Sequence, residues 1–206
     1  AGGNSVWGLT RRFPVGPILA ITPFNFPLNL VAHKIAPAIA AGCPIVLKPA
    51  NTTPLTAFAL AEIVLEAGWP AEALSVVNVA VSDAHVLVRD PRFKVLSFTG
   101  SDAVGWQLKA EAGRKRCLLE LGGDAAVVIA DDATDLDAIA QRVAFGAFAY
   151  AGQVCISVQR VLVHQRHHEA FLDALIRATS ETVRVGPPST SGVMMSCLIN
   201  EKATFY

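Results

Sequence analysis

The stretch Val95-Leu96-Ser97-Phe98-Thr99-Gly100-Ser101 predicts a buried strand that ends in a glycine turn and passes straight into a helix. That helix is expected to run from Ser101 to Ala112 and to end at Gly113, and a further strand is predicted from Cys117 to Leu121. A strand, a helix and a second strand in this order form a right-handed crossover between parallel strands. The stretch therefore predicts an α/β fold built on a parallel sheet.

The alternation of strand and helix continues on both sides of this stretch. Upstream, three predicted strands alternate with three predicted helices: 18–21, 28–40, 45–47, 54–67, 75–79 and 83–89, with Thr53 as the cap of the second helix. Downstream, two predicted strands alternate with two predicted helices: 125–129, 136–150, 158–163 and 167–179. The tail has a loop composition after Gly186 and a weak helical signal from Val193 to Tyr206. A domain boundary is expected near Gly122–Gly123.

Composition favours a soluble globular protein of one or two domains. The 206 residues carry 17 basic and 17 acidic side chains, and 52% of them are hydrophobic. Because no block of Lys and Arg stands out, nucleic acid and anionic membranes are not expected partners, whereas a small molecule is. The uncharged stretch from Phe13 to Ala32 contains four prolines and two asparagines, so we reject a membrane-spanning helix there.

The sequence carries no signal for export and none for a metal site. The N-terminus Ala1-Gly2-Gly3-Asn4 lacks the basic region and apolar core of a secretory signal, and because the chain does not begin with Met, a processed, trimmed or partial chain stays open. The four cysteines form no Cys-x-x-Cys pair, so neither a zinc site nor a disulfide framework is predicted, and a cytoplasmic location is expected. The histidines at positions 164, 167 and 168 lack acidic or thiol partners, so no metal is predicted.

The candidate catalytic groups are a carboxylate and a thiol, each in a glycine-flanked turn. Glu120 precedes Leu121-Gly122-Gly123, and Cys155 follows Gly152-Gln153-Val154. A thiol nucleophile needs a nearby base, either to form the thiolate or to activate the water that releases the product. Taken alone, the two glycines also fit an ordinary turn, and the cysteine also fits core packing. The pairing of Glu120 with Cys155 is therefore a hypothesis that depends on the fold.

Five motifs occur in the order and approximate spacing found in the aldehyde dehydrogenase superfamily, which the chain resembles from about residue 11 to about residue 186. They are Pro23-Phe24-Asn25-Phe26-Pro27, Leu47-Lys48-Pro49-Ala50, Ser97-Phe98-Thr99-Gly100-Ser101, Glu120-Leu121-Gly122-Gly123 and Gly152-Gln153-Val154-Cys155. The resemblance implies a lead-in segment at 1–14, part of a dinucleotide-binding domain at 15–122 and part of a catalytic domain at 123–206. It also implies a homodimer or homotetramer.

The same resemblance implies that NAD or NADP binds to the first domain. Gly100 and Ser101 would form the phosphate turn, and Lys48 would hold the adenosine ribose. Further cofactor contacts are expected at Ile21, Thr22, Pro23, Phe24, Asn25, Ala50, Asn51, Glu120, Leu121 and Gly122. From the residues alone, the phosphate turn also fits an ordinary glycine turn with a serine cap, and Lys48 also fits a side chain that reaches out to water.

Asn51 departs from the commonest family pattern, in which members that prefer NAD carry a Glu that takes the ribose hydroxyls. A carboxylate roughly 4 Å from a 2′-phosphate costs about 1–4 kcal/mol, and a neutral amide avoids that repulsion. Since about 1.4 kcal/mol is tenfold in affinity, the loss of this Glu favours NADP or the use of both cofactors.

The resemblance also implies a mechanism. Cys155 attacks an aldehyde to give a thiohemiacetal, whose oxyanion is held by Asn25 and by the Cys155 backbone N–H. Hydride then passes to the nicotinamide, and Glu120 activates the water that hydrolyses the thioester to a carboxylic acid. Lys34 matches a family position near the active site. Without the resemblance, Asn25 between two prolines is simply a good turn residue, and Lys34 a helix lysine.

Two alternatives stay open. In a CoA-acylating member of the family, CoA would take the acyl group in place of water, and Glu120 argues against this because a base for water would be unnecessary. The other alternative is a non-catalytic fragment or a structural remnant. Family members carry further strands before Arg11 and a Glu-x-Phe-Gly-Pro-like segment after Cys155, and the chain contains neither. The predicted activity is therefore that of a larger protein.

Overall fold

A computed structural model describes residues 7–201 and 203, and these form two compact units. The first unit ends at Glu120 and the second begins at Leu121. Residues 1–6 of the predicted lead-in segment lie outside the described residues, as do residues 202 and 204–206 of the predicted tail helix. Each unit contains its own parallel sheet and its own apolar core.

The first unit is a five-stranded sheet with helices between consecutive strands. Its strands are β1 (Ile18–Ile21), β2 (Ile45–Lys48), β3 (Leu74–Val76), β4 (Val95–Thr99) and β5 (Arg116–Glu120). Its helices are α1 (Asn29–Ala40), α2 (Leu55–Glu66), α3 (Val81–Arg89) and α4 (Asp102–Glu111). All neighbouring strands run parallel, in the order β3-β2-β1-β4-β5. The predicted α/β fold with a parallel sheet is confirmed.

The strand order reverses direction at β1, whose neighbours β2 and β4 lie on opposite sides of it. In an open α/β sheet, ligands bind outside the carboxyl ends of the strands at such a reversal. The register pairs Ile21 of β1 with Phe98 of β4, so the two strands end at nearly the same level. The predicted cofactor segments that follow β1 and β4 therefore leave the sheet side by side.

Apolar side chains from the central strands form the core of this unit. Leu19, Leu47 and Leu96 are completely buried, as expected for strands that helices cover on both faces. Strand β5 lies at the edge of the sheet, and its residues alternate between half-buried and exposed. The exposed set, Arg116, Leu118 and Glu120, lies on one face of the strand.

The second unit pairs β6 (Ala125–Ile129) in parallel with β7 (Val158–Val163). Helices α5 (Leu136–Phe148) and α6 (His168–Thr182) pack beside this sheet, and the core between them contains Ile129, Val143 and Phe171. Within residues 7–201 and 203, no helix is both long enough and apolar enough to cross a lipid bilayer.

Local differences from the sequence prediction have physical reasons. Thr53 does not cap α2, since Pro54 occupies the cap position without a side-chain hydrogen bond. Strand β3 stops at Val76: Val77 still donates its N–H to the Leu47 carbonyl oxygen, but β2 is followed by Pro49, which has no N–H to continue the pairing. The predicted tail helix is not seen in residues 193–201, where Met194 and Met195 instead donate backbone N–H groups to the carbonyl oxygen of Arg184.

Two lysines are buried in the first unit. Lys34 on α1 is 8% exposed, and Lys48 at the end of β2 is 5% exposed. Burial lowers the pKa of both side chains because the ammonium ion loses contact with water, and the pKa of Lys34 falls from 10.5 to about 8. Both charges are therefore held in the fold at a cost to its stability.

Replacing Lys34 by Met is expected to stabilise the protein near neutral pH. Because the pKa of Lys34 is lower in the folded state than in the unfolded chain, the free energy of unfolding of the wild type rises as the pH increases from about 8 to 10.5. The advantage of Lys34→Met should be largest below pH 8, about 3 kcal/mol at most, and should shrink at higher pH. Urea unfolding of both proteins across this range measures it. A gain that does not change with pH would contradict the assignment.

Gly123→Ala is expected to destabilise the second unit. A Cβ atom at Gly123 would lie 2.5 Å from the carbonyl oxygen of Cys155, so the backbone there would have to move. Overpacking of this kind costs about 1–3 kcal/mol. The matched control is Gly122→Ala, whose Cβ would meet no atom within 4 Å and should change stability by less than about 0.5 kcal/mol. Chemical unfolding of both variants provides the measurement, and equal effects would show that the close approach does not matter.

Candidate active site

The predicted site residues fall into two groups, one in each unit. The first group belongs to the first unit: Asn25, Lys48, Gly100 and Glu120 lie at or just after the carboxyl ends of strands, and Lys34 lies on α1. The second group belongs to the second unit and contains Cys155 and the predicted cofactor residues Leu121 and Gly122.

Thr22 leads out of β1 into the first predicted cofactor loop. Its backbone N–H donates to the Lys48 carbonyl oxygen over 3.1 Å, which extends the pairing of β1 with β2 by one residue. Its side chain is 4% exposed, and within residues 7–201 and 203 its Oγ1 has no hydrogen-bond partner. Since an unsatisfied buried hydroxyl costs about 1–3 kcal/mol, this atom is suited to bind a polar group of a ligand at the edge of the sheet.

Asn25 occupies the loop between β1 and α1 and is half-buried. Its Oδ1 accepts a hydrogen bond from the Phe26 backbone N–H over 3.2 Å. This local bond fits the turn role that the sequence alone suggested. It also orients the whole planar amide, including the nitrogen that the predicted oxyanion role requires as a donor.

Lys48 is part of a short hydrogen-bonded chain with Asn51. The Lys48 Nζ donates to Asn51 Oδ1 over 2.8 Å and to the Pro49 carbonyl oxygen over 3.2 Å. The Asn51 Nδ2 in turn donates to the carbonyl oxygen of Val79 over 2.9 Å. With these partners Lys48 is buried, and it does not extend to water as the alternative interpretation proposed. Both side chains are therefore fixed at the carboxyl end of β2.

The turn after β4 is formed by Gly100 and Ser101. The Gly100 N–H donates to the Glu120 carbonyl oxygen over 3.0 Å, so it is used within the sheet and not directed at an anion. A Cβ at Gly100 would lie 2.6 Å from the ring of Phe98, which is buried, so a larger residue here would force that ring to move. Ser101 is exposed and makes no side-chain cap on α4, which argues against the ordinary serine cap. Any anion at this turn would meet Ser101 and the first N–H groups of α4.

Glu120 is the last residue of β5, and its side chain is exposed. It pairs in register with Thr99 of β4. Its charge raises the pKa of Lys34, although burial is the larger effect and leaves that pKa lowered. The Lys34 Nζ donates to Ser97 Oγ of β4 over 2.9 Å. The fold thus brings the predicted base and the predicted active-site lysine into electrostatic range of each other.

In the second unit, Cys155 follows an unusual turn at the end of α5. Tyr150, Ala151 and Gly152 all have left-handed backbone conformations, with φ of 58°, 56° and 71°. This conformation is common for glycine and rare for tyrosine and alanine, and such backbone strain often lies at functional sites. The three residues turn the chain from the helix axis into the Cys155 loop.

Three hydrogen bonds hold the Cys155 loop in place. The Ser157 Oγ donates to the carbonyl oxygen of Ala147 in α5 over 3.1 Å, and its side chain is buried. The Gln153 Nε2 donates to the Tyr150 carbonyl oxygen over 3.3 Å, and Gln153 Oε1 accepts from the Ile199 N–H over 2.9 Å. Cys155 itself is exposed. An anchored loop with an accessible thiol is the arrangement that a nucleophilic cysteine needs.

Sequence reasoning missed several residues that support these groups. Ser97 begins the motif that ends at Ser101, and no role was predicted for it, although a hydroxyl between Leu96 and Phe98 on a buried strand is itself a signal for a polar partner. Ser157 and Gln153 likewise lay next to Cys155. Their roles depend on carbonyl groups of α5 and the tail, which no local pattern reveals.

A cavity of about 440 Å³ lies at the opposite, amino ends of β4 and β5. Its lining includes Lys94 and Lys115, which donate to the carbonyl oxygens of Pro91 and Ala112. Ala112 caps the C-terminus of α4, where a cation stabilises the helix end, and Lys94 bonds within the turn that leads into β4, so both lysines have a structural explanation. The cavity is not where the predicted site residues gather.

The sequence profile of the aldehyde dehydrogenase family matches residues 2–204. Among relatives, the chain is 42% identical over 188 residues to 3-sulfolactaldehyde dehydrogenase of Priestia aryabhattai, covering 91% of this chain and 39% of that protein. It is 40% identical over 193 residues to succinate-semialdehyde dehydrogenase [NADP(+)] GabD of Escherichia coli strain K12, covering 92% and 40%.

Solved structures agree with these matches. The fold superposes with a TM-score of 0.88 on aldehyde dehydrogenase 21 from Physcomitrella patens in complex with the reaction product succinate. The two are 44% identical, and the match covers 93% of this chain and 40% of that one. The chain thus spans about two fifths of the length of these relatives. On its sequence and on its fold, this chain belongs to the aldehyde dehydrogenase family.

Proposed function

We propose that this protein oxidises an aldehyde to a carboxylic acid, with Cys155 as the nucleophile and a nicotinamide cofactor as the hydride acceptor. The observation that carries the proposal is the Cys155 loop, in which an exposed thiol sits on a segment anchored to α5 and to the tail. Membership of the aldehyde dehydrogenase family supports the reaction class.

In the proposed reaction, the Cys155 sulfur adds to the aldehyde carbon and forms a thiohemiacetal. The amide of Asn25 and the Cys155 backbone N–H donate to the resulting oxyanion. A bound nicotinamide would supply the hydride acceptor, and loss of hydride from this carbon would leave the acyl group as a thioester on Cys155. Glu120 then removes a proton from water, the water attacks the thioester, and the acid leaves as the thiol is restored. Lys34 supplies a positive charge in range of Glu120.

The residues at the carboxyl edge of the first sheet fit a dinucleotide. Lys48 and the neighbouring Asn51 offer a cation and a neutral amide at the end of β2, and the buried Thr22 hydroxyl can bond to a polar group of the cofactor. Ser101 and the start of α4 suit the pyrophosphate. The remaining cofactor contacts, at 21, 23–25, 50 and 120–122, follow from the family resemblance.

The substrate is proposed to be a short aldehyde with an anionic group at its far end. The relatives named above act on 3-sulfolactaldehyde and succinate semialdehyde, which carry a sulfonate and a carboxylate.

A homodimer or homotetramer and a cytoplasmic location remain predictions, and the four free cysteines are consistent with a reducing compartment. A CoA-acylating reaction is the alternative, and the presence of Glu120 disfavours it because a base for water would then be unnecessary.

Cys155→Ala is expected to abolish the formation of reduced nicotinamide. The assay measures the absorbance of reduced nicotinamide, with succinate semialdehyde, 3-sulfolactaldehyde and the neutral butanal as substrates. Without a nucleophilic sulfur, neither the thiohemiacetal nor the thioester can form, so activity should fall at least about a thousandfold. The matched control is Cys197→Ala, which removes another exposed thiol and should keep wild-type activity. Persistent turnover by Cys155→Ala would refute the proposed nucleophile, and a requirement for CoA would favour the acylating alternative.

Asn51→Glu is expected to shift cofactor use towards NAD. A carboxylate at this position would repel a 2′-phosphate and would compete for the Lys48 ammonium, so the ratio of kcat/KM for NADP to that for NAD should fall about tenfold or more. Asn51→Gln keeps the side chain neutral and serves as the control. A ratio that stays unchanged in the Glu variant would mean that residue 51 does not contact the ribose end of the cofactor.

A further inference from the structure

Ser97 lies in the middle of β4, between two strands that both pair with it. The register places Ala20 of β1 and Leu118 of β5 opposite Ser97, and Glu120 opposite Thr99. Residues paired across parallel strands face the same side of a sheet, as do residues two apart on one strand. Ser97 and Glu120 therefore share one face of the sheet.

Helix α1 packs on that same face. Ala20 belongs to the core cluster that also contains Val31 and Ile35 of α1. Lys34 extends from this helix, and its Nζ donates to Ser97 Oγ over 2.9 Å. On the sheet, the Ser97 hydroxyl is thus the polar group that accepts a hydrogen bond from the Lys34 ammonium.

The Lys34 ammonium needs a partner that fixes its position, because the Lys34 side chain is long and its charge is buried. A lysine side chain has four rotatable carbon–carbon bonds, so an unanchored Nζ would reach several positions along the sheet. Of the charged groups on α1, β1, β4 and β5, Glu120 is the one whose charge acts on Lys34. A hydrogen bond that fixes Nζ over β4 also fixes its distance to the next strand, which ends in Glu120.

We propose that Ser97 is a positioning residue whose hydroxyl holds the Lys34 ammonium over β4, within electrostatic range of the Glu120 carboxylate. This assignment concerns the interaction between three side chains of one unit and does not require the chemistry proposed for Cys155. Its consequence for the reaction does rest on the proposed function: the hydroxyl keeps a positive charge near the general base.

The test measures the titration midpoint of Lys34 by competitive labelling of amines on the intact protein, followed by peptide mass spectrometry over a series of pH values. Ser97→Ala should lower the midpoint by about one unit, because a hydroxyl that accepts from the ammonium favours the charged form. Ser97→Thr keeps the hydroxyl and should restore the wild-type midpoint. The control is Ser75→Ala, which removes a serine side chain of β3 and should leave the Lys34 midpoint unchanged.

A double-mutant cycle separates positioning from a local hydrogen bond. Glu120→Gln should lower the Lys34 midpoint in the wild-type background, because it removes the charge that raises this pKa. In the Ser97→Ala background the same change should have a clearly smaller effect, since the ammonium is no longer held towards Glu120. Lys48 titrates in the same samples and serves as an internal reference that Ser97→Ala should not shift.

Two outcomes would overturn the proposal. If Ser97→Ala leaves the Lys34 midpoint unchanged while the protein remains folded, the hydroxyl does not hold the ammonium. If the Glu120→Gln shift is the same with and without the hydroxyl, Ser97 is an acceptor without a positioning role. Neither result depends on whether the enzyme turns over an aldehyde, so failure of this proposal and failure of the proposed function are distinguishable.

Discussion

The parallel register of β4 with β1 and β5 is the constraint on which the candidate site in the first unit depends. Because the three strands end at similar levels, the loop after β1, the turn after β4 and the side chain of Glu120 meet along one edge. Alternation along each strand then assigns residues to faces. Ser97 and Glu120 lie on the side of α1, whereas Lys48, which pairs with Ile21, lies on the opposite side.

The two buried lysines lower the stability of this arrangement. Each ammonium is removed from water, and the lowered pKa values record that desolvation is larger than the compensation from nearby groups. Each lysine nevertheless has a polar side-chain partner, Ser97 for Lys34 and Asn51 for Lys48. Buried charges that are paired in this way and still unfavourable are typical of sites selected for function.

The sequence predicted most of the architecture because strand and helix periodicities are local. The βαβ order around Gly100, the core strands and the Cys155 loop all follow from patterns within a few residues. The sequence could not predict that the Gly100 N–H is used by the Glu120 carbonyl, or that Ser97 meets Lys34, since the latter contact spans 63 residues. Thr53 shows that a local pattern can also mislead. The sequence predicted Thr53 as the cap of α2, but Pro54 occupies the cap position.

The left-handed turn before Cys155 has a consequence for how this sequence can diverge. At Tyr150 and Ala151 the backbone adopts a conformation in which a Cβ atom is crowded, so glycine or asparagine would fit both positions with less strain. Branched residues such as valine and isoleucine would be crowded most. In homologous proteins that keep the same turn, these two positions should therefore drift towards small or amide residues and exclude branched ones.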